Sequence, residues 1–250
     1  MISTGEPDIA CVAALMGEPA RARVLMALVD GRALPASVLA AEAGVAASTI
    51  SEHLARLVAA GLLTAERHGR SRYFRLAGPE VAEVLEALAR IAPTQPVRSL
   101  RQGTRANALR RARTCYNHLA GQLGVALMVG LLERGVLEGC DGSRTADDRL
   151  SAPGRAVHYQ LTPQGHSTLA DFGVHVDAVL RRRPPIRYCM DWSEQSHHLA
   201  GPLGTAVTDR LFALDWIRRT PRRRAVVLTD AGRQGLYDTF GVRCLVRAGQ

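Results

Sequence analysis

The 250-residue sequence predicts a mainly α, α+β protein, and three observations carry that expectation. Aromatic residues make up only 4% of the chain while Ala and Leu fill the apolar positions, a balance that favours helices over sheets. Periodicity in the first part of the chain reads helix, helix, helix, hairpin, helix. The remainder holds an internal repeat, each copy patterned as helix, β-hairpin and helix.

The length allows one large domain or two modest ones with a real core. Ile91-Ala-Pro-Thr-Gln-Pro-Val97 carries two prolines and interrupts the helical pattern, which places a linker near residue 96. Two regions follow, 1–96 and 97–250.

In the first region, Glu18 to Val29 has apolar residues at helical spacing, an acid and a proline at its start, and Asp30-Gly31 as its stop. Pro35 to Ala43 is a second helix, closed by Gly44. Ala47 to Ala60 puts Ile50, Leu54, Leu57 and Val58 on one face, has Ser48 and Glu52 in helix-start positions, and ends at Gly61. Leu62 to Arg67 and Arg72 to Leu76 then read as strands around His68-Gly-Arg-Ser71, a tip of turn formers and cations. Pro79 to Ala92 resumes helix with a stripe of Val81, Val84, Leu85, Leu88 and Ile91 that needs a partner surface.

This element order is that of a winged helix-turn-helix, whose third helix offers short polar side chains to base edges in the major groove. With its apolar face buried, Ser48, Thr49, Ser51, Glu52 and Arg56 point outward and His53 sits at the boundary. The hairpin adds Arg67, His68, Arg70, Arg72 and Arg75, a cationic wing suited to phosphates or a minor groove. The predicted partner is double-stranded DNA.

Charge agrees, but only locally. All 32 basic residues are Arg, set against 23 acids, for a net +9 that points to nucleic acid before membrane. Yet residues 1–96 hold nine Arg against ten acids. The surplus lies in Arg98 to Arg113, Arg181 to Arg187 and Arg218 to Arg224, read as solvated faces or as phosphate contacts flanking an operator.

The longest apolar run, Ala120 to Leu132, is too short to span a bilayer, and the N-terminus lacks the pattern of a signal peptide. A soluble, cytoplasmic protein is expected. Five cysteines without a repeating CxxC spacing then predict reduced thiols.

Ser48-Thr-Ile-Ser-Glu-His-Leu-Ala-Arg-Leu57, Ala60-Gly-Leu-Leu63 and Arg67-His-Gly-Arg-Ser-Arg-Tyr-Phe74 resemble the arsenical-resistance-repressor (ArsR) family of bacterial winged-helix regulators. The resemblance implies a homodimeric transcriptional regulator, usually a repressor, that releases its operator when an effector binds. Two departures stand out. The helix Pro35 to Ala43 lacks the paired cysteines by which many relatives sense metals, and Pro79 to Ala92 offers Glu80, Glu83 and Glu86 but no His.

In the second region His118-Leu-Ala-Gly-Gln-Leu-Gly124 recurs as His198-Leu-Ala-Gly-Pro-Leu-Gly204, and Leu161-Thr-Pro-Gln-Gly165 as Leu228-Thr-Asp-Ala-Gly232. Two related units are expected, at 113–175 and 187–243, with an exposed variable loop around Cys140 to Arg155. Arg113-Thr-Cys115 and Arg187-Tyr-Cys189 stand at comparable places. Cys115, His118, Cys189, Asp191, Trp192 and His198 are therefore the effector-sensing candidates.

Three readings of these residues stay open: packing, a small-molecule or thiol-reactive sensor, and a zinc site. Cys11, Cys140 and Cys244 lack such neighbours. A tail that responds to nothing would leave an architectural or co-regulatory DNA-binding protein. An enzyme with Cys189 as nucleophile, His198 as base and Asp191 as orienter is the rival, but no oxyanion site or phosphate loop accompanies it. No catalytic residue and no cofactor is assigned.

Overall fold

The computed structural model describes residues 6–93, 96–97, 99–139, 159–182, 184–220 and 223–243. The variable-loop expectation, Cys140 and Cys244 lie outside them. Two compact units, 1–88 and 89–250, are taken separately.

The first unit opens with α1 (Ile9–Gly17), an element the periodicity left unassigned, and α2 (Pro19–Leu28). Glu18 caps α2 by accepting from the N–H groups of Ala20 (3.0 Å) and Arg21 (2.7 Å). Arg21 in turn donates to the carbonyls of Leu15 and Ala14, closing α1. After β1 (Leu34–Pro35), α3 (Ala36–Ala43) stops at Gly44 in the left-handed region and α4 (Ala47–Ala59) follows.

The N-cap of α4 is Ala46, with no side-chain cap, so neither Ser48 nor Glu52 caps the helix start. Ser48 instead lies inside the first turn, facing out.

Strands β2 (Leu63–His68) and β3 (Ser71–Leu76) pair from Leu63 with Leu76 to His68 with Ser71. Each strand therefore runs one residue closer to the tip than expected, and Gly69-Arg70 is a two-residue turn. Gly69 takes φ 60° while Arg70 stays at negative φ, as a type II′ turn requires. β1 adds to the outer side of β3. Val24, Leu25, Leu28, Leu39, Ile50, Leu54, Leu57, Leu63 and Phe74 are buried together as the core. The last helix, α5 (Pro79–Ile91), buries Ala82 and Leu85 and leaves Val84, Leu88 and Ile91 exposed.

The second unit begins with α6 (Leu100–Arg111), then β4 (Arg113–Cys115), β5 (His118–Ala120) and α7 (Gly121–Glu133). Next come β6 (Leu137–Gly139), β7 (Tyr159–Leu161), α8 (Pro163–Asp171) and the short α9 (Val176–Leu180). The same order returns as β8 (Arg187–Met190), β9 (His197–Ala200), α10 (Gly201–Ala213), β10 (Ile217–Thr220), β11 (Arg223–Leu228) and α11 (Asp230–Phe240). Relative to the predicted helix, hairpin, helix order, each half gains a leading hairpin. The shared Leu-Thr-x-x-Gly sequence has one local cause: Thr162 and Thr229 cap α8 and α11 by accepting from the N–H groups of Gly165 and Gly232.

The halves are interleaved. Helix α7 packs on β9 and α10 on β5, and the Leu119 N–H donates to Thr208 Oγ1 at 2.9 Å. Leu123, Leu127 and Leu131 of α7 and Leu203, Val207 and Leu211 of α10 share one core with Leu169, Leu236 and Phe240. Among the described residues, no helix is long and apolar enough to cross a membrane.

Candidate functional site

Along α4 the burial of Ile50, Leu54 and Leu57 fixes the opposite face outward, because residues three and four apart share a helix face. Ser48, Thr49, Ser51, Glu52 and Arg56 are all exposed. Glu52 accepts from Arg56 Nη2 at 2.6 Å, one turn on, which holds the guanidinium at the surface of the helix. His53 behaves differently. Its ring turns toward the start of α2, with Nδ1 3.5 Å from the half-buried Glu18 Oε2, so its partner belongs to the fold and not to a ligand.

The wing carries its cations unequally. Arg75 pairs with Glu66 and also donates to Thr64 Oγ1, Arg72 lies over the Phe74 ring at 5.3 Å, and His68 packs edge-on to Tyr73. Among the described wing cations, Arg67 and Arg70 are exposed and carry no ion pair. Arg70 sits in the turn itself and Arg67 in β2 one residue before its last, where a phosphate backbone would meet them.

A second constellation forms in the other unit. Cys115 stands directly across from His118 in the β4–β5 ladder, and Cys189 directly across from His198 in the β8–β9 ladder. Cross-strand partners share a sheet face, so each hairpin presents one Cys and one His side by side. The two hairpins face each other, with the His118 and His198 rings 5.1 Å apart, and the ligand atoms of all four residues lie within 4.8 Å of one another. Cys115, His118 and His198 are buried and Cys189 is half-buried.

Gly124 and Gly204 make this approach possible. A Cβ on Gly124 would sit 2.5 Å from the Leu119 carbonyl oxygen and 3.6 Å from His198 Cβ; one on Gly204 would sit 2.7 Å from the Leu199 oxygen and 3.2 Å from His118 Cβ. The paired glycines thus admit a backbone and the opposite histidine.

Behind the cluster, Asp191 and Arg113 form an ion pair at 2.9 Å with both side chains fully buried. Asp191 also accepts from the N–H groups of Gly121 and Ser193 and lies 3.5 Å from His198 Nδ1. Burial raises the Asp191 pKa, but Arg113, His198 and the Gly121 N–H outweigh it and hold the carboxyl at about 2. Trp192 covers the Arg113 guanidinium, 4.5 Å from the ring centre. The Cys189 thiol is held well below the ordinary range by its hydrogen bond with Cys115 and by the two histidines, against the effect of burial.

All six tail residues singled out from the sequence meet here. The sequence did not single out Arg113 as the partner of Asp191, although it precedes the first cysteine as Arg187 precedes the second. Arg113 and Arg224 also depart from the reading of the three Arg clusters, since both are buried; the Arg224 Nε donates to the Thr114 carbonyl. Arg101, Arg105, Arg110 and Arg111 of α6 are exposed, as the solvated reading expects.

Residues 16–66 match the family described as a helix-turn-helix domain. The chain is 38% identical to YdfF, an uncharacterised HTH-type transcriptional regulator of Bacillus subtilis, over 91% of this chain and 94% of that protein. It is 35% identical to the HTH-type transcriptional regulator CmtR of Mycobacterium bovis over 34% of this chain and 72% of that protein. Among solved structures, a homodimeric winged helix-turn-helix DNA-binding domain from Mycobacterium bovis, titled a possible ArsR-family regulator, aligns with a TM-score of 0.30 and 26% identity. That alignment covers 34% of this chain and 85% of that one.

Proposed function

Because the chain belongs to the HTH-type transcriptional regulators, we propose that it acts as a dimeric ArsR-type repressor in the cytoplasm, reading its operator with α4 and the wing. The observation that carries this reading is the outward row of Ser48, Thr49, Ser51, Glu52 and Arg56 beside a wing whose Arg67 and Arg70 are exposed and free of ion pairs. Ser and Thr reach phosphates or base edges, and Arg56 reaches guanine once it leaves Glu52. Glu52 accepts from a cytosine amino group. His53 supports the helix through its half-buried contact with Glu18.

Dimerisation has its support in the uncovered apolar row Val84, Leu88 and Ile91 of α5, a stripe at helical spacing that water disfavours. Two recognition helices would then fall on successive major grooves. The residues 97–250 sense an effector through Cys115, His118, Cys189, Asp191, Trp192 and His198, shifting the dimer between operator-competent and released states. A catalytic role for Cys189 is disfavoured by the complete burial of His198 and Asp191, which leaves a substrate no path to the base.

A mobility-shift titration on the operator tests the assignment. Arg56→Ala combined with Arg70→Ala is expected to weaken binding by about 1–3 kcal/mol or more while the protein stays folded. Unchanged affinity would remove α4 and the wing as the reading surface.

A further inference from the structure

The proximity of two cysteines and two histidines invites a chemical question: what occupies the point they share? A disulfide would use only the cysteines and leave two imidazoles facing each other. A tetrahedral cation would use all four.

Each hairpin supplies the same pair in the same ladder position, Cys115 with His118 and Cys189 with His198, so the four donors approach from two sides as two matched arms. The imidazoles are set for ligation. Nδ1 of His118 lies 3.4 Å from Asn117 Oδ1 and Nδ1 of His198 lies 3.5 Å from Asp191 Oδ2. At His118 an oxygen acceptor at Nδ1 favours the proton there and leaves the Nε2 lone pair for a metal, the arrangement that accompanies metal-bound histidine; at His198 the Asp191 carboxylate lies near Nδ1 without a hydrogen bond and favours the same tautomer by charge alone. Both Nε2 atoms are buried.

Charge points the same way. Asp191 is already matched by Arg113 inside the protein. Two thiolates at Cys115 and Cys189 would add two uncompensated negative charges to a buried place, which is costly. A dication with two thiolates and two neutral imidazoles sums to zero. Two sulfur and two nitrogen donors in tetrahedral array are the preference of zinc, and four protein ligands leave no open position for substrate.

We propose that Cys115, His118, Cys189 and His198 form a closed Cys2His2 site for one zinc ion, which clips the β4–β5 hairpin to the β8–β9 hairpin. Binding forms two Zn–S bonds and releases to solvent whatever thiol protons the two cysteines still carry, with no change of oxidation state. The inference rests on the sensing reading of these residues only for its regulatory consequence, since metal loss would unclip the β4–β5 hairpin from the β8–β9 hairpin within the shared core. The site itself is independent of DNA.

The test uses untagged full-length protein purified under reductant, stripped with a chelator and titrated with zinc and with cobalt(II). One equivalent per chain is expected, and the cobalt form should show thiolate-to-cobalt charge transfer with intense tetrahedral ligand-field bands. Cys115→Ser and Cys189→Ser should each weaken binding by at least about 100-fold, beyond the roughly 10–100-fold that losing an outer partner costs. A second measurement on the unaltered protein guards against misfolded variants. Zinc should shield Cys115 and Cys189 from alkylation while the exposed Cys11 reacts at its usual rate.

Substoichiometric metal, a cobalt spectrum without thiolate bands, alkylation of Cys115 and Cys189 that zinc leaves unchanged, or recovery of a Cys115–Cys189 disulfide under reductant would each overturn the site. Stoichiometric zinc that leaves operator affinity unchanged would sustain the site and overturn sensing through it.

Discussion

Arg113 and Asp191, far apart in sequence, meet as a fully buried ion pair at 2.9 Å that ties the β4–β5 hairpin to the turn of the β8–β9 hairpin. Arg113 Nη1 also donates to the Leu109 carbonyl and to Ser193 Oγ, while the Gly121 N–H donates to Asp191. A charge pair this deep is expensive to form and more expensive to break.

Arg113→Ala strands the Asp191 carboxylate. The expected loss is about 3–5 kcal/mol, the usual cost of removing one partner of a buried pair. Urea unfolding followed by circular dichroism should show the midpoint move sharply downward. A shift within that of a surface Arg such as Arg101→Ala would mean that water reaches the pair.

Leu57 and Arg56 are neighbours on α4 with opposite fates, one fully buried and one exposed. Leu57→Ala should cost about 2–5 kcal/mol of stability through the cavity it leaves. Arg56→Ala should cost little stability, since the exposed Glu52 pair is worth about 0.3–0.5 kcal/mol. Only its operator affinity should fall, so thermal unfolding and mobility shift together separate the two roles.

Arg67 and Arg70 should act through phosphate. Each Arg→Ala change should weaken binding to all duplexes alike and reduce the steepness of the log affinity against log salt plot by about 1. The same change at Arg75, already paired with Glu66, should leave the slope nearly intact. Equal slopes for all three would mean that the wing stands away from the backbone.

Gly204→Ala tests the close approach of the two halves. Its new methyl would lie 2.7 Å from the Leu199 carbonyl oxygen and 3.2 Å from His118 Cβ, so backbone must move. Overpacking of this kind costs about 1–3 kcal/mol. Cobalt titration of the variant should show weaker binding as His118 shifts, with DNA affinity of the first unit tracked beside it.

Acid should loosen the start of α2. The Glu18 carboxyl is held below its ordinary pKa by the Ala20 N–H and, despite partial burial, by the Arg21 N–H, His53 and Arg21. A lowered folded pKa means that the stabilisation is complete above the ordinary value of 4.5 and drains away as pH falls toward the folded one. Glu18→Gln should cost about 1 kcal/mol near neutral pH, the worth of a helix cap. The gap between this variant and the parent should narrow on acidification; a constant gap would assign the cap to geometry alone.

Much of the first unit was legible because its signals are local. Helix stops at Gly44 and Gly61, the period of Ile50, Leu54 and Leu57, and a glycine turn between two cationic strands each act within one or two turns of chain. The start of α4 differs for the same reason: Ser48 and Glu52 have the residue types of a helix start, yet Ala46 is the cap and Glu52 pairs forward with Arg56. Period puts His53 at the boundary of the apolar face, and only the packing of α2 shows it facing Glu18.

The sequence by itself determined that two hairpin-and-helix halves recur, and that Cys115 and Cys189 occupy matching places in them. It also matched His118 with His198, but it could not show that each His stands opposite its Cys, because two residues separate Cys115 from His118 while eight separate Cys189 from His198. Spacing along the chain hides that equivalence, whereas ladder register restores it: in each hairpin the Cys and the His are directly opposed. Likewise no local pattern announces that Arg113 belongs with Asp191, since an Arg in a basic run reads as solvated until burial shows otherwise. Tertiary structure decided these pairings because they are fixed by which strands and helices fill one core, a condition that depends on the whole unit at once.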